Sequence, residues 1–187
     1  MKASKLSAAV VLVLVTSAFA AEVKSDYDRS FDLQKLHSFK FSNQSQRSPK
    51  DALANNDLVA KRLRMAIHNN LLAMGMESQE TEADFEIAYY ATARNQAQIT
   101  TSGRPRWGAG TVWIDEHLEG TAIIEFRSAK SGEIVWRGFV TGTVDPNKSE
   151  QNINKGIKKL IERFAKDREK QQRAAQVVAA PGETQCS

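Results

Sequence analysis

The sequence predicts an α+β fold, a two-layer sandwich in which a mainly antiparallel sheet carries two amphipathic helices on one face. Three observations predict it. Apolar residues recur at helical intervals in two stretches, Val59 to Met74 and Ile153 to Phe164. Much of the chain around and between them is built from Phe, Ile, Tyr, Val and Trp at strand-like spacing. The breaks between those strand-like runs are short and rich in turn residues, which favours antiparallel neighbours.

Residues 1–20 read as a secretory leader. Lys2 and Lys5 precede an apolar run from Ala8 to Val15, and Ala18, Phe19 and Ala20 form a small-x-small signal with cleavage expected after Ala20. A retained membrane anchor is the competing reading, but the run is shorter than the ~20 residues that a bilayer span needs. Ala21, Glu22 and Val23 follow in place of a cysteine, so no lipid anchor is indicated. The expected location is periplasmic or secreted, with no transmembrane segment once the leader is removed.

The remaining residues divide into one domain over 21–166 and a charged, frayed tail over 167–187, a size suited to a single core. Glu22–Asp28 and Leu36–Ser42 read as strands that pair as neighbours. Polar Asn43–Ala54 is a surface loop. Val59, Leu63, Ala66, Ile67, Leu71 and Met74 line one helical face, with Gly75 as its stop. Asp84–Arg94 reads as a central strand. Asn95–Gly110, with Gly103, Pro105, Gly108 and Gly110, reads as a loop or broken strand, and strand pattern resumes at Thr111–Asp115. Thr121–Arg127 and Glu133–Val144 form a hairpin whose turn uses the freedom of Gly132. Asn147 or Ser149 opens the second helix, and Gly156 within its apolar stripe suggests close approach to the sheet.

Charge excludes little. The formal net charge of +4 falls to +2 without the leader, which gives no case for a nucleic-acid partner. The excess is local: seven basic residues against three acidic ones lie between Lys158 and Arg173. That stretch suits either contact with anionic lipid or another polyanion, or a solvated helix face with charge pairs four residues apart. Cys186 is the single cysteine, so there is no internal disulfide and no thiolate metal site; a free thiol and a crosslink to a partner both stay open.

Three histidines, His37, His68 and His117, show no metal-ligand spacing, and the sequence has no nucleophile elbow, phosphate loop or dinucleotide fingerprint. No cofactor or metal is expected. Two groups of residues remain. Arg104, Arg106, Trp107 and Trp113 combine guanidinium groups with indoles, which reads either as a site that holds sugars or anions by stacking and bidentate hydrogen bonds, or as Trp113 in the core of its strand with Arg104 flanking a turn. Asp115, Glu116, His117 and Glu119 form a polar cluster beside Gly120. It reads either as an acid–base or metal site or as a polar turn between two strands.

Val23, Asp26, Tyr27, Asp28, Phe31, Asp32 and Leu36 resemble the opening of the bacterial domain-of-unknown-function family numbered 4136, whose members start with a V-x-x-D-Y-D-like strand. Glu119, Gly120 and Thr121, then Ala129, Lys130, Ser131, Gly132, Val135, Trp136, Arg137 and Gly138, look like its second hallmark. The likeness runs from Glu22 to Phe164. It implies an envelope protein with no established activity. Many relatives carry an anchoring cysteine that this leader lacks, and the family favours aspartates in the hairpin where this chain has Glu125 and Ser128.

Taken together, these features lead to the expectation of an exported, non-catalytic binding or envelope-associated module whose partner is an envelope protein, a glycan or a small molecule. The alternatives are an enzyme working through residues 115–119 and a structural subunit assembling through an exposed strand edge.

Overall fold

The computed structural model of the protein describes residues 21–42, 57–102, 111–143 and 148–179. The expected leader, the whole Asn43–Ala54 loop, Arg104, Arg106, Trp107 and Cys186 lie outside the described residues.

Among the described residues, six strands and two helices form the expected α+β sandwich. The strands are β1 (Glu22–Tyr27), β2 (Ser38–Phe41), β3 (Glu77–Ser78), β4 (Phe85–Ser102), β5 (Thr111–Ser128) and β6 (Ile134–Thr143). The helices are α1 (Asp57–Ala73) and α2 (Ser149–Ala179). The sheet order is β1-β6-β5-β4-β2-β3. The first four of these strands pair antiparallel, whereas β2 joins β4, and β3 joins β2, in parallel.

The turns form where glycine permits them. Gly75 has φ 82° and ends α1, after which the chain doubles back so that Met76 N–H donates to the Leu71 carbonyl. Gly132 has φ 72° in the β5–β6 turn, whose closure is marked by Ser128 N–H donating to Glu133 O at 2.9 Å.

Period-2 alternation sends Phe85, Ile87, Phe126 and Trp136 to one sheet face, and both helices cover that face. Phe126 is the hub. Its ring lies 4.7 Å from Phe85, 4.8 Å from Trp136 and 4.8 Å from Phe164 of α2. Gly138 makes this possible, because a Cβ there would fall within 2.6 Å of Leu160 Cδ1 and clash with the Trp136 indole. Gly156 plays the part expected of it, facing Val140 at ordinary contact distance where α2 crosses β6.

Three expectations need correction. β1 and β2 are not neighbours but lie on opposite sides of β6, β5 and β4. The Asp28–His37 connection crosses the end of those strands. It is held there by a 3₁₀ turn, Leu33–Lys35, whose Leu33 is buried and whose backbone binds α2. Asn95–Ser102 continues β4 rather than opening a loop, and β5 runs unbroken from Thr111 through the expected turn at Asp115–Gly120. The frayed tail expected from residue 167 is instead helix as far as Ala179. Polar docking explains its order: Asp167 is 3 % exposed, and the Gln171 side chain accepts from Leu33 N–H at 2.8 Å and donates to Phe31 O at 2.7 Å.

Candidate functional site

The unequal lengths of the strands create the most unusual feature of the fold. β4 and β5 pair over their whole 18 residues, from Phe85↔Ser128 to Ser102↔Thr111. Their flanking strands are much shorter. β2 reaches only Ile87 on β4, and β6 reaches only Glu119 on β5, opposite Thr143. Beyond that line, among the described residues, Asn95–Ser102 and Thr111–Leu118 pair with each other and with no third strand. At about 3.3 Å per residue, the result is a two-stranded ribbon reaching roughly 25–30 Å past the sheet. Among the described residues, no strand pairs with either of its edges, whose backbone N–H and C=O groups are the template to which another strand can add.

Of the sequence-predicted residues, Trp113, Asp115, Glu116 and His117 belong to this ribbon and Glu119 stands at its root. Arg104, Arg106 and Trp107 lie in residues 103–110, outside the described residues. Trp113 is placed opposite Thr100, Asp115 opposite Gln98, Glu116 opposite Ala97, His117 opposite Gln96 and Glu119 opposite Arg94. Strand alternation therefore puts Trp113, Asp115, His117 and Glu119 on one ribbon face and Glu116 on the other. The polar turn expected here is instead a strand. Among the described residues, no group of three or more His, Cys, Asp or Glu gathers as a metal site.

The ribbon's root adjoins the sheet face that the helices leave uncovered. Its centre is Glu125, whose side chain is 7 % exposed and held by two guanidinium groups. Arg137, directly opposite on β6, donates to Oε1 at 2.6 Å, and Arg127, two residues along β5, donates to Oε2 at 2.7 Å. The Tyr90 hydroxyl donates to Oε2 at 3.4 Å. Burial pushes the Glu125 carboxyl up, but the Arg127 and Arg137 hydrogen bonds and charges outweigh it and hold the group below its ordinary value. Such a carboxylate is permanently ionised near neutrality with both oxygens occupied. It orders two arginines on the open face and offers no proton for acid catalysis. Sequence reasoning missed this cluster, although E-x-R on one strand opposite W-R on the next was its visible signal.

A second polar cluster fixes α2 to the sheet from the covered side. Asp167 Oδ2 accepts from the Ser25 hydroxyl at 2.6 Å and from the Trp136 indole at 3.1 Å, while Arg163 lies 3.3 Å from Oδ1. Every group there is matched, and the cluster locks structure rather than opening a site.

No curated protein matches this sequence. Among solved structures, the chain is similar to a PDZ domain protein from Parabacteroides distasonis, with 12 % identity and a TM-score of 0.48 over 75 % of this chain. It spans 35 % of that longer protein. It is also similar to the PelC dodecamer from Paraburkholderia phytofirmans, with 11 % identity and a TM-score of 0.47, covering 77 % of this chain and 96 % of that one. In sequence, the family model described as a domain of unknown function, DUF4136, matches residues 23–164, and the chain belongs to that family.

Proposed function

We propose that the protein is a non-catalytic binding module of the bacterial cell envelope, exported to the periplasm by its leader and engaging its partner through the β4–β5 ribbon. The ribbon carries this reading. A two-stranded ribbon isolated in water is marginally stable, so one with two unpaired edges gains stability when another element covers it. Trp113 on the ribbon, with Arg104, Arg106 and Trp107 in the chain segment between its two strands, offers recognition by stacking and bidentate hydrogen bonding. The partner class is an envelope protein, a glycan or a small molecule.

Replacing residues 96–117 by Asn-Gly joins Asn95 to Leu118, which face each other in the register, through a two-residue turn. The expected outcome is a folded domain with unchanged helical circular dichroism that no longer retains the molecules held by the intact chain from an envelope extract. An identical retained set, read by mass spectrometry, would refute the assignment. The pair Arg106→Ala and Trp107→Ala tests the tip separately and should remove the same molecules without unfolding the domain.

The two unpaired edges also favour a second reading, a structural subunit assembling with its own copies. Light scattering distinguishes the two: a mass rising with concentration, and lost with the ribbon, identifies assembly.

A further inference from the structure

The outward side of the helical layer has a composition that the ribbon does not explain. On α1, Leu63, Ala66, Ile67 and Leu71 are buried, yet Leu58, Met65 and Leu72 are 51 %, 54 % and 43 % exposed. These three lie seven residues apart, so they form one line along the helix. At 100° per residue the line is diametrically opposite the core face. A helix packed on a sheet normally puts polar residues there.

The helical layer is also basic, although part of its charge is engaged within the fold. α1 carries Lys61, Arg62 and Arg64 against Asp57, with Arg62 turned to Ser149 and Glu150 and Arg64 stacked on Phe41. α2 carries eight basic residues against four acidic ones, with Arg163 turned to Ser25 and Asp167. The helices therefore hold a net +6, whereas the chain from Ala21 holds +2 and the remainder −4. Ile157, Leu160, Ile161 and Phe164 of α2 are buried against the sheet. Lys155, Lys158 and Lys166 are exposed and lie opposite them, beside Glu162 and Glu169. Because α1 and α2 pack side by side on one sheet face, the apolar line of α1 and the lysines of α2 look outward together.

We infer that this outward helical face docks on an anionic lipid bilayer surface. An apolar line flanked by cations is the pattern of interfacial helices, in which the apolar side chains enter the headgroup boundary and the lysines meet lipid phosphates. Charge complementarity selects this occupant over a second copy, because two such faces would bring cation against cation. No described helix is long and apolar enough to cross a membrane, so the contact lies on the surface. It leaves the ribbon directed along the sheet and available to its own partner, and it stands independently of the ribbon reading.

Co-sedimentation with vesicles tests it, using the chain from Ala21, which contains every described residue. The expected result is binding to vesicles of mixed phosphatidylglycerol and phosphatidylcholine, little binding to phosphatidylcholine alone, and weakening as salt shortens the screening length. Met65→Glu, and separately Lys155→Glu with Lys158→Glu, should each lower partitioning by at least about tenfold. Both leave the buried face untouched, and unchanged urea midpoints would show that the fold is intact. Equal binding to both vesicle types, absence of binding to the anionic ones, or full partitioning by Met65→Glu would each overturn the inference. So would a rise in mass with concentration that Met65→Glu abolishes, which would assign the face to a second copy.

Discussion

The indole Nε1 of Trp136 donates a 3.1 Å hydrogen bond to Asp167, one turn beyond Phe164, the last buried apolar residue described on α2. Trp136 is fully buried and Asp167 nearly so, and the same carboxylate oxygen takes the Ser25 hydroxyl of β1. One side chain therefore ties α2, β6 and β1 together. Asp167→Ala strands two donors in a dry site and is expected to cost about 3 kcal/mol, whereas Asp167→Asn keeps an acceptor and should cost about half of that. Arg163→Ala removes a half-exposed ion pair and should cost no more than ~1 kcal/mol. Urea midpoints check the order, and an Asp167→Ala loss below that of Arg163→Ala would refute it.

The two sheet-facing glycines have opposite tolerances. At Gly138 a methyl group meets both the Trp136 indole and Leu160 Cδ1, neither of which can retreat from a packed core. Gly138→Ala should destabilise by about 2 kcal/mol. At Gly156 the same methyl would lie 3.4 Å from Val140 Cγ2, an ordinary contact, while the helix gains up to about 1 kcal/mol of propensity. Gly156→Ala is therefore expected to be neutral or stabilising. Thermal midpoints moving in the same direction for both substitutions would contradict this packing account.

Acid should weaken the fold partly through Glu125. Burial raises its carboxyl, but the two arginines hold the folded value below the ordinary one near 4.5. A group depressed on folding contributes stability that is fully present above its unfolded value and is lost as pH falls through the folded value. Asp84 acts in the same direction: burial raises it, but the backbone N–H groups of His37 and Ser38 outweigh that and lower it. Glu125→Gln should be less stable than the parent at pH 7, and the gap between the two should narrow between pH 5 and pH 3. A constant gap in urea midpoint across that window would remove Glu125 from the acid response.

What was legible in the sequence was local. The helical periods, the stop at Gly75 and the turn at Gly132 depend on residues within one or two turns of each other, and each is found where the pattern places it. The misplaced elements depend on distant polar contacts. The end of α2 carries no apolar stripe past Phe164, because its anchors are Asp167 to Trp136 and Gln171 to the Phe31–Leu33 backbone, interactions without a hydropathy signature. Asn95, Gln96, Ala97 and Gln98 have weak strand preference, and only their register with β5 makes them strand. Trp113, Asp115, Glu116 and His117 stand out in the sequence by their chemistry, and the ribbon holds all four. What the sequence lacked was the alternation that separates Glu116 from Asp115 and His117.

The ribbon should also reveal itself by amide hydrogen exchange. At Phe85–Ile87, β4 is paired on both edges, by β2 and β5, and from Glu119 to Arg127, β5 is paired on both edges, by β4 and β6. Opening those amides requires disrupting the aromatic core around Phe126. Between Gln96 and Ser102, and between Thr111 and His117, each strand has one partner among the described residues, so opening separates two strands and leaves the core intact. Protection in the ribbon is expected to fall at least about a hundredfold below that of residues 121–126 in the isolated protein. Equal protection at low concentration would mean that a further element covers the ribbon within a single chain, contradicting the projecting geometry. Protection that climbs with protein concentration in the ribbon alone would instead report pairing between copies through the unpaired edges, and would select the assembly reading over the monomeric binder.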